Sequence, residues 1–516
     1  MQSVQTRVKL SDGVIEGVRR GDLLTWRGIP YAAPPVGDLR FRAPQPVRPW
    51  TGIRAADDFR NAAPQRKQYT MVAPGRYQPT SEDCLTLNVV APDTPSVAPR
   101  PVMVFIHGGA YILGSSATPL YWGHRLARRG VVYVSINYRL GALGYLDTTD
   151  HATEGRPLDS NLGLRDQVAA LEWVRANIAA FGGDPDNVTV FGESAGGNAV
   201  TTLLATPAAA GLFHQAIAES SAPALTLARA QAKAFAYEYV ELLLAETGGS
   251  DAGEALRTAT VRQIGAASTA LSENIGRRTP GIQPFGPVVD GDYLPIDPLT
   301  AAREGATLPV PLIIGTNRDE GTLFAKAWDI LPTNEQRIER MFSVTDDAAK
   351  PDILATYDGY PSREACIDFS GDLVFWAQSM QFADGHSAVA PTYVYRFDYA
   401  PHAFAWTGFG ATHGSELFAV FDVYRGAFGR LLTAGLDRRS SNRVVADVAG
   451  RWVRFARGAG AGPDWPAYRV PERAVRVFDR RSYVERDPHG DRREAWSKFV
   501  GYSEGSLPIG PRTEPA

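Results

Sequence analysis

Short apolar runs recur along the chain, separated by polar, glycine-rich or helically periodic stretches. Val102-Met-Val-Phe-Ile106 and Val131-Val-Tyr-Val-Ser-Ile136 are almost continuously apolar, as expected of strands covered on both faces. Leu85-Thr-Leu-Asn-Val-Val90, Val188-Thr-Val-Phe191, Pro311-Leu-Ile-Ile-Gly315 and Thr392-Tyr-Val-Tyr-Arg-Phe397 supply further strands. Between Leu162 and Ala180, the residues Leu164, Val168, Leu171, Trp173, Val174 and Ile178 fall at helical spacing, which predicts a helix leading toward the strand at Val188. Apolar strands alternating with helices predict an α/β fold with a mainly parallel central sheet. At the front, Val14–Val18 and Leu23–Arg27 flank a Gly-Asp turn and predict a small antiparallel hairpin. A proline-rich connector follows from Ile29 to Trp50, and an alanine-rich helical stretch from Ala224 to about Thr279 predicts a cap or wall over a site. With no internal repeat and no low-complexity linker, residues 1–502 read as one domain and residues 503–516 as a loosely held, Gly/Pro-rich tail.

The composition narrows the partners. A 516-residue chain with 44% hydrophobic and 21% charged residues can bury a large core. The net charge is −3 and no long basic run occurs, so neither nucleic acid nor an anionic membrane is an expected partner. No run approaches the ~18 apolar residues of a membrane span. Met1–Leu10 lacks the apolar segment of a secretory signal, which leads to the expectation of a cytoplasmic protein; a monomer is expected, although no feature of the sequence fixes the oligomeric state. The two cysteines, Cys84 and Cys366, are far apart in sequence and read as reduced, partly buried thiols.

One hexapeptide carries the chemistry. Gly192-Glu-Ser-Ala-Gly-Gly197 follows the Val188–Phe191 strand and precedes an alanine-rich helical stretch, Ala195–Leu204. Gly-x-Ser-x-Gly between a strand and a helix resembles the nucleophile elbow of the α/β-hydrolase fold, where a strained turn exposes the serine hydroxyl above the sheet. Gly192 and Gly196 would leave room for close backbone contact. A serine hydroxyl is a weak nucleophile, so Ser194 needs a base, and the base needs an acid to hold its tautomer. The acid is expected next in the chain and the histidine after it, both in loops that follow strands. Asp319 and Glu320, after the Leu312–Ile314 strand, are the candidates for the acid, and position alone does not choose between them. Asp290 and Asp292 look like turn residues. Of the later histidines, His489 lies in a hydrophilic stretch and His386 precedes its strand. His402 and His413 both follow it, and the small neighbours of His413 favour it. Oxyanion donors are expected from Ala195 and from the His107-Gly-Gly-Ala110 loop, in which His107 itself has a packing role.

Taken together, the motifs resemble the type-B carboxylesterases. The matching segments are Gly28–Gly37, Ser81–Asn88, His107–Ala110, Asn137–Leu140, Asn161–Gln167, Phe181–Pro185, Gly192–Gly197, Asp319–Gly321 and His413–Glu416. The resemblance implies a serine carboxylic-ester hydrolase of the α/β-hydrolase fold, without metal or organic cofactor, acting on small to medium hydrophobic esters. It implies Ser194, Glu320 and His413 as the triad, with Gly109, Ala110 and Ala195 as oxyanion donors and Glu193 and Ser220 as supporting polar residues. The same triad could serve amide, carbamate or thioester bonds, and its completeness argues against a non-catalytic binding protein. Three departures qualify the likeness. The Asn61–Gln65 segment lacks the cysteine that bridges to the Cys84 position in secreted members. The position of the choline-binding tryptophan falls near Pro74. The family's Gln-Ser-Gly reads Glu219-Ser220-Ser221, which adds a carboxylate near the site.

Overall fold

The computed structural model of the chain describes residues 5–433 and 437–502. Eleven strands form one sheet. In chain order they are β1 (Val18–Arg20), β2 (Leu23–Pro30), β3 (Thr86–Pro92), β4 (Arg100–Ile106), β5 (Val132–Ile136), β6 (Gly183–Glu193), β7 (Gln215–Glu219), β8 (Leu312–Asn317), β9 (Thr392–Phe397), β10 (Ala474–Phe478) and β11 (Tyr483–Arg486). Their spatial order is β11-β10-β9-β8-β7-β6-β4-β5-β3-β2-β1. From β10 across to β5 every neighbouring pair is parallel, and both edges are antiparallel. The continuous apolar runs follow from burial on both faces. Val102, Val104 and Ile106 of β4 point into one core with Leu164, Val168 and Leu171 of helix α1 (Leu162–Asn177) and Val200 and Leu203 of helix α2 (Ala195–Leu204). Met103 and Phe105 point into the other, with Phe191, Val448 and Trp452. Helices α3 (Arg229–Thr247) and α4 (Val261–Arg278) fill the alanine-rich segment, and Gly248 ends α3 at φ +70°. The site is completed by α5 (Gly321–Ala327), α6 (Glu335–Val344), α7 (Arg363–Gly371) and α8 (Ala377–His386).

The front of the chain differs from the predicted hairpin. The strand breaks at Gly17, where a Cβ would stand 2.4 Å from the Thr25 carbonyl oxygen and 2.4 Å from the Trp26 ring. Val14–Glu16 pairs instead with Arg7–Lys9 and Ile53–Ala55 in a separate three-stranded sheet. Only Val18–Arg20 turns back on β2, and β2, buried along nearly its whole length, belongs to the main sheet. Strands β7, β10 and β11 have no counterpart among the predicted elements. In β10 the apolar alternation is interrupted by Arg476, which the fold buries against Asp447 and Asp464 at 3.3 and 3.1 Å. The predicted tail, residues 503–516, lies outside the described residues. Cys84 and Cys366 are free and buried, and no helix among the described residues is long and apolar enough to cross a membrane.

Candidate active site

Parallel pairing of β4, β6, β7 and β8 brings their C-terminal ends to one edge, with Glu193 directly opposite Glu219 and Glu219 opposite Gly315. Ser194 follows β6 at once. Its backbone sits at φ 60°, ψ −125°, a region that costs a non-glycine residue about 1–3 kcal/mol and must be held by its surroundings. The hold is visible on both sides of the turn. Ser194 N–H donates to the Glu219 carbonyl at 3.0 Å, and Asn198 N–H donates to the Ser194 carbonyl at 2.8 Å to begin α2. A Cβ on Gly196 would stand 2.1 Å from the Ile106 carbonyl oxygen, and one on Gly192 would stand 2.6 Å from the same oxygen. The elbow therefore packs backbone to backbone on β4, as the glycine pattern predicts, and leaves Ser194 half-buried.

Glu320 and His413 meet beside it. His413 Nδ1 lies 2.6 Å from Glu320 Oε2, and Glu320 Oε1 accepts from Ser220 Oγ and Asn317 N–H, both at 2.6 Å. A carboxylate bonded on both oxygens holds the ring with Nε2 outward. Nε2 has no hydrogen-bond partner among the described residues and lies 3.2 Å from Glu193 Oε1. A Cβ on Gly108 would meet both Ser194 Cβ, at 3.0 Å, and Glu193 Oε2, at 3.2 Å. Ser194 and His413 thus border the same carboxylate. Asp319 is occupied otherwise: its N–H donates to the Ala411 carbonyl and its Oδ2 accepts from Ala411 N–H at 2.7 Å. It clasps the His413 loop to the end of β8, and Glu320 is the residue at the histidine. His402 is held by Asp437 at 2.9 Å, His386 is buried against Thr307 and Val310, and His489 is exposed. Asp290 accepts from Asp292 and Leu294 N–H as a turn residue.

The loop after β4 turns through three left-handed residues in succession, with φ 115° at Gly109, 50° at Ala110 and 59° at Tyr111. It is anchored at both ends. The Tyr138 hydroxyl donates to the His107 carbonyl at 2.6 Å and its ring stacks on His107, while the Tyr111 hydroxyl bonds Asn198 of α2. The N–H groups of Gly109, Ala110 and Ala195 carry no hydrogen bond from within the described residues, so all three are free to serve an incoming oxygen. His107 is fully buried, and burial pulls its pKa down to about 4, so it is a neutral packing group.

Two aromatic neighbours are not legible in the sequence. Phe375 and Phe324 face the His413 ring at 4.4 and 5.1 Å between centroids. Phe375 sits in a π-helical turn, Asp372–Trp376, between α7 and α8, a feature that recurs at functional sites. Glu416, in the segment after His413, is buried and accepts from Asn317 Nδ2 and, at 3.5 Å, from Ser220 Oγ. Glu219, the added carboxylate, accepts from Trp452 Nε1 at 2.5 Å and leaves Oε2 without a partner. Burial raises the carboxyls of Glu193 to about 7, of Glu416 to about 8, and of Glu219 well above the usual range. For His413 burial acts downward, but the charges of Glu193 and Glu320 outweigh it and raise the pKa to about 9.

A cavity of about 1490 Å³ approaches this cluster from beyond the Gly109–Ala110 turn, with none of Ser194, Glu320 and His413 in its lining. Its apolar floor includes Ile112 and Leu113, just beyond the Gly109–Ala110 turn, and Leu143, Phe285 and Trp328. Trp328 stacks on Phe324, the ring that also faces His413. Helices α4 and α6 supply further lining residues, so the predicted cap contributes to this cavity.

With the elbow, the Glu320–His413 pair and the free N–H groups placed, comparison with known proteins is decisive. The sequence profile of the carboxylesterase family matches residues 4–513. The chain belongs to the carboxylesterase family. It is 38% identical over 504 residues to the para-nitrobenzyl esterase of Bacillus subtilis, covering 93% of this chain and 96% of that protein. It is 34% identical over 495 residues to the liver carboxylesterase of Sus scrofa, covering 87% and 84%. A solved thermophilic PNB esterase superposes with a TM-score of 0.84 at 35% identity, covering 96% of this chain and all of that one. The architecture is the α/β-hydrolase fold, and this carboxylesterase is a serine ester hydrolase.

Proposed function

We propose that Ser194, His413 and Glu320 are the catalytic triad of this carboxylesterase, acting on small to medium hydrophobic esters. Ser194 Oγ attacks the ester carbonyl carbon while His413 Nε2 takes its proton. Glu320 keeps the remaining proton on Nδ1 and stabilises the imidazolium. The tetrahedral oxyanion is received by the N–H groups of Gly109, Ala110 and Ala195, which no other group among the described residues occupies. The intermediate collapses as His413 protonates the leaving alcohol. Water then adds to the acyl-serine, giving its proton to His413, and collapse frees the carboxylic acid and restores Ser194. Glu193 and Ser220 act in support, the first by its charge beside Nε2 and the second by its bond to Glu320. The observation that carries the reading is the 2.6 Å His413–Glu320 contact, with Nε2 lacking a hydrogen bond and bordering Glu193, the residue that directly precedes the half-buried Ser194.

The apolar cavity lining supports hydrophobic ester groups, and the unbridged buried Cys84 accords with a reducing, cytoplasmic compartment. Release of p-nitrophenol from p-nitrophenyl butyrate by the wild-type chain and by Ser194→Ala tests the assignment. A loss of about 10³-fold or more is expected in the variant, and equal rates would overturn it.

A further inference from the structure

The cavity floor is apolar, but its rim is not. Arg66, Arg262, Arg277 and Arg340 line it and all four are exposed. The other two lining arginines are already neutralised: Arg278 by Glu238 at 2.6 Å, and Arg337 by Asp329. Among the described residues the four have no carboxylate partner. Arg277 hydrogen-bonds only Asn274, and Arg340 uses Nε for the Arg278 carbonyl at 3.2 Å, which leaves both terminal nitrogens unengaged. The lining carboxylates do not balance them. Asp329 is held by Arg337, and Glu339 is held by Lys350 at 2.8 Å. Glu273, one turn before Arg277 on α4, is the one lining carboxylate left over. Four guanidinium groups therefore face one uncommitted carboxylate around an opening whose floor leads to Trp328 and the Gly109–Leu113 loop.

We propose that this rim selects esters carrying an anionic group, a carboxylate or phosphate, remote from the scissile bond. The proposal rests on the assignment of Ser194 as nucleophile and names the substrate class for that same site. Guanidinium groups remain charged at any working pH and present paired donors that match both anions. A cationic opening over low-dielectric walls concentrates the field and draws an anion in before the ester is seated. The volume, about 1490 Å³, exceeds the 300–1,000 Å³ usual for small-molecule sites. That leaves room for a substrate whose charged end rests at the rim while its ester reaches the elbow. A neutral ester of the same length would gain the apolar contacts but not the steering.

The test compares isosteres on the intact protein. Mono-p-nitrophenyl glutarate is set against p-nitrophenyl methyl glutarate, which places the charge on the acyl side. 4-Carboxyphenyl butyrate is set against 4-(methoxycarbonyl)phenyl butyrate, which places it on the leaving group. In at least one pair kcat/KM for the anionic ester should exceed that of the neutral ester by about tenfold at low salt, and the ratio should fall as ionic strength rises. The double variant Arg262→Ala/Arg277→Ala, both on the exposed face of α4, should lower the ratio by about tenfold, and Arg262→Lys/Arg277→Lys, which keeps both charges but not the paired donors, should restore the salt-dependent part of it. Which pair responds locates the charged end. Ser194-dependent hydrolysis with no anionic preference in either pair, or a ratio unchanged in the alanine double variant, would overturn the proposal and leave the triad intact. Failure of wild type to hydrolyse the neutral esters in a Ser194-dependent manner would instead overturn the triad assignment, and this inference with it.

Discussion

Replacing Glu193 by glutamine removes the charge beside the base without changing its shape, and the pH profile should report it. Glu193 Oε1 lies 3.2 Å from His413 Nε2. Two unit charges at that distance attract by about 5 kcal/mol at the effective dielectric of ~20 that suits protein sites. The full amount is not available, because burial raises Glu193 itself to about 7, and the two groups release their protons as a pair. A fall of about 1–2 pH units in the histidine's apparent pKa is therefore expected. The sign follows from the cause. His413 is raised to about 9 because neighbouring carboxylates favour its charged form over the opposing effect of burial, so losing one of them lets the neutral base form at lower pH. The acid limb of kcat/KM, followed by pH-stat titration of released acid from pH 5 to 10, should move to lower pH. The alkaline plateau should drop at the same time, because the imidazolium formed in the transition state loses the same partner. An acid limb displaced by less than about 0.3 unit would refute the claim that Glu193 sets the base's pKa.

Other substitutions probe separate links. Glu320→Gln removes the charge that orients His413, and kcat should fall by about 10³–10⁴-fold with the fold retained by circular dichroism; a fall below tenfold would reassign the acid. Gly196→Ala places a Cβ 2.1 Å from the Ile106 carbonyl oxygen and should cost about 1–3 kcal/mol in stability. Because β4 carries the Gly109–Ala110 loop, kcat should fall along with Tm, and an active, equally stable variant would contradict the backbone contact. Glu219→Gln keeps the Trp452 bond but removes a carboxyl that the folded state holds protonated well above 4.5. As pH rises past 4.5 the unfolded chain loses that proton and the folded chain does not, so wild-type stability falls by up to about 1.4 kcal/mol per pH unit relative to the variant. The Tm advantage of Glu219→Gln should be larger at pH 8 than at pH 5, and equal differences at both would count against a buried protonated Glu219.

The sequence alone determined what depends on neighbours along the chain. The elbow was legible because its strain, its glycines and its following helix are all encoded within residues 188–204, and the two-faced burial of β4 and β5 was legible as uninterrupted apolar runs. The candidates for acid and base were legible as loops after strands, narrowed by resemblance to Glu320 and His413. The tertiary structure supplies the physical reason that Asp319 is not at the imidazole, since its carboxylate is spent on Ala411 and Glu320 stands there instead. It also decided that β10 is a strand, since Arg476 breaks the apolar pattern and only its remote partners Asp447 and Asp464 make its burial tolerable. The gathering of Glu193, Glu320 and Glu416 around one histidine has the same origin. Parallel strands align their C-terminal ends in space, so residues more than two hundred positions apart share one low-dielectric site. The raised pKa values of Glu193, Glu219, Glu416 and His413 and the two phenyl rings on His413 arise from that convergence, which no local pattern records.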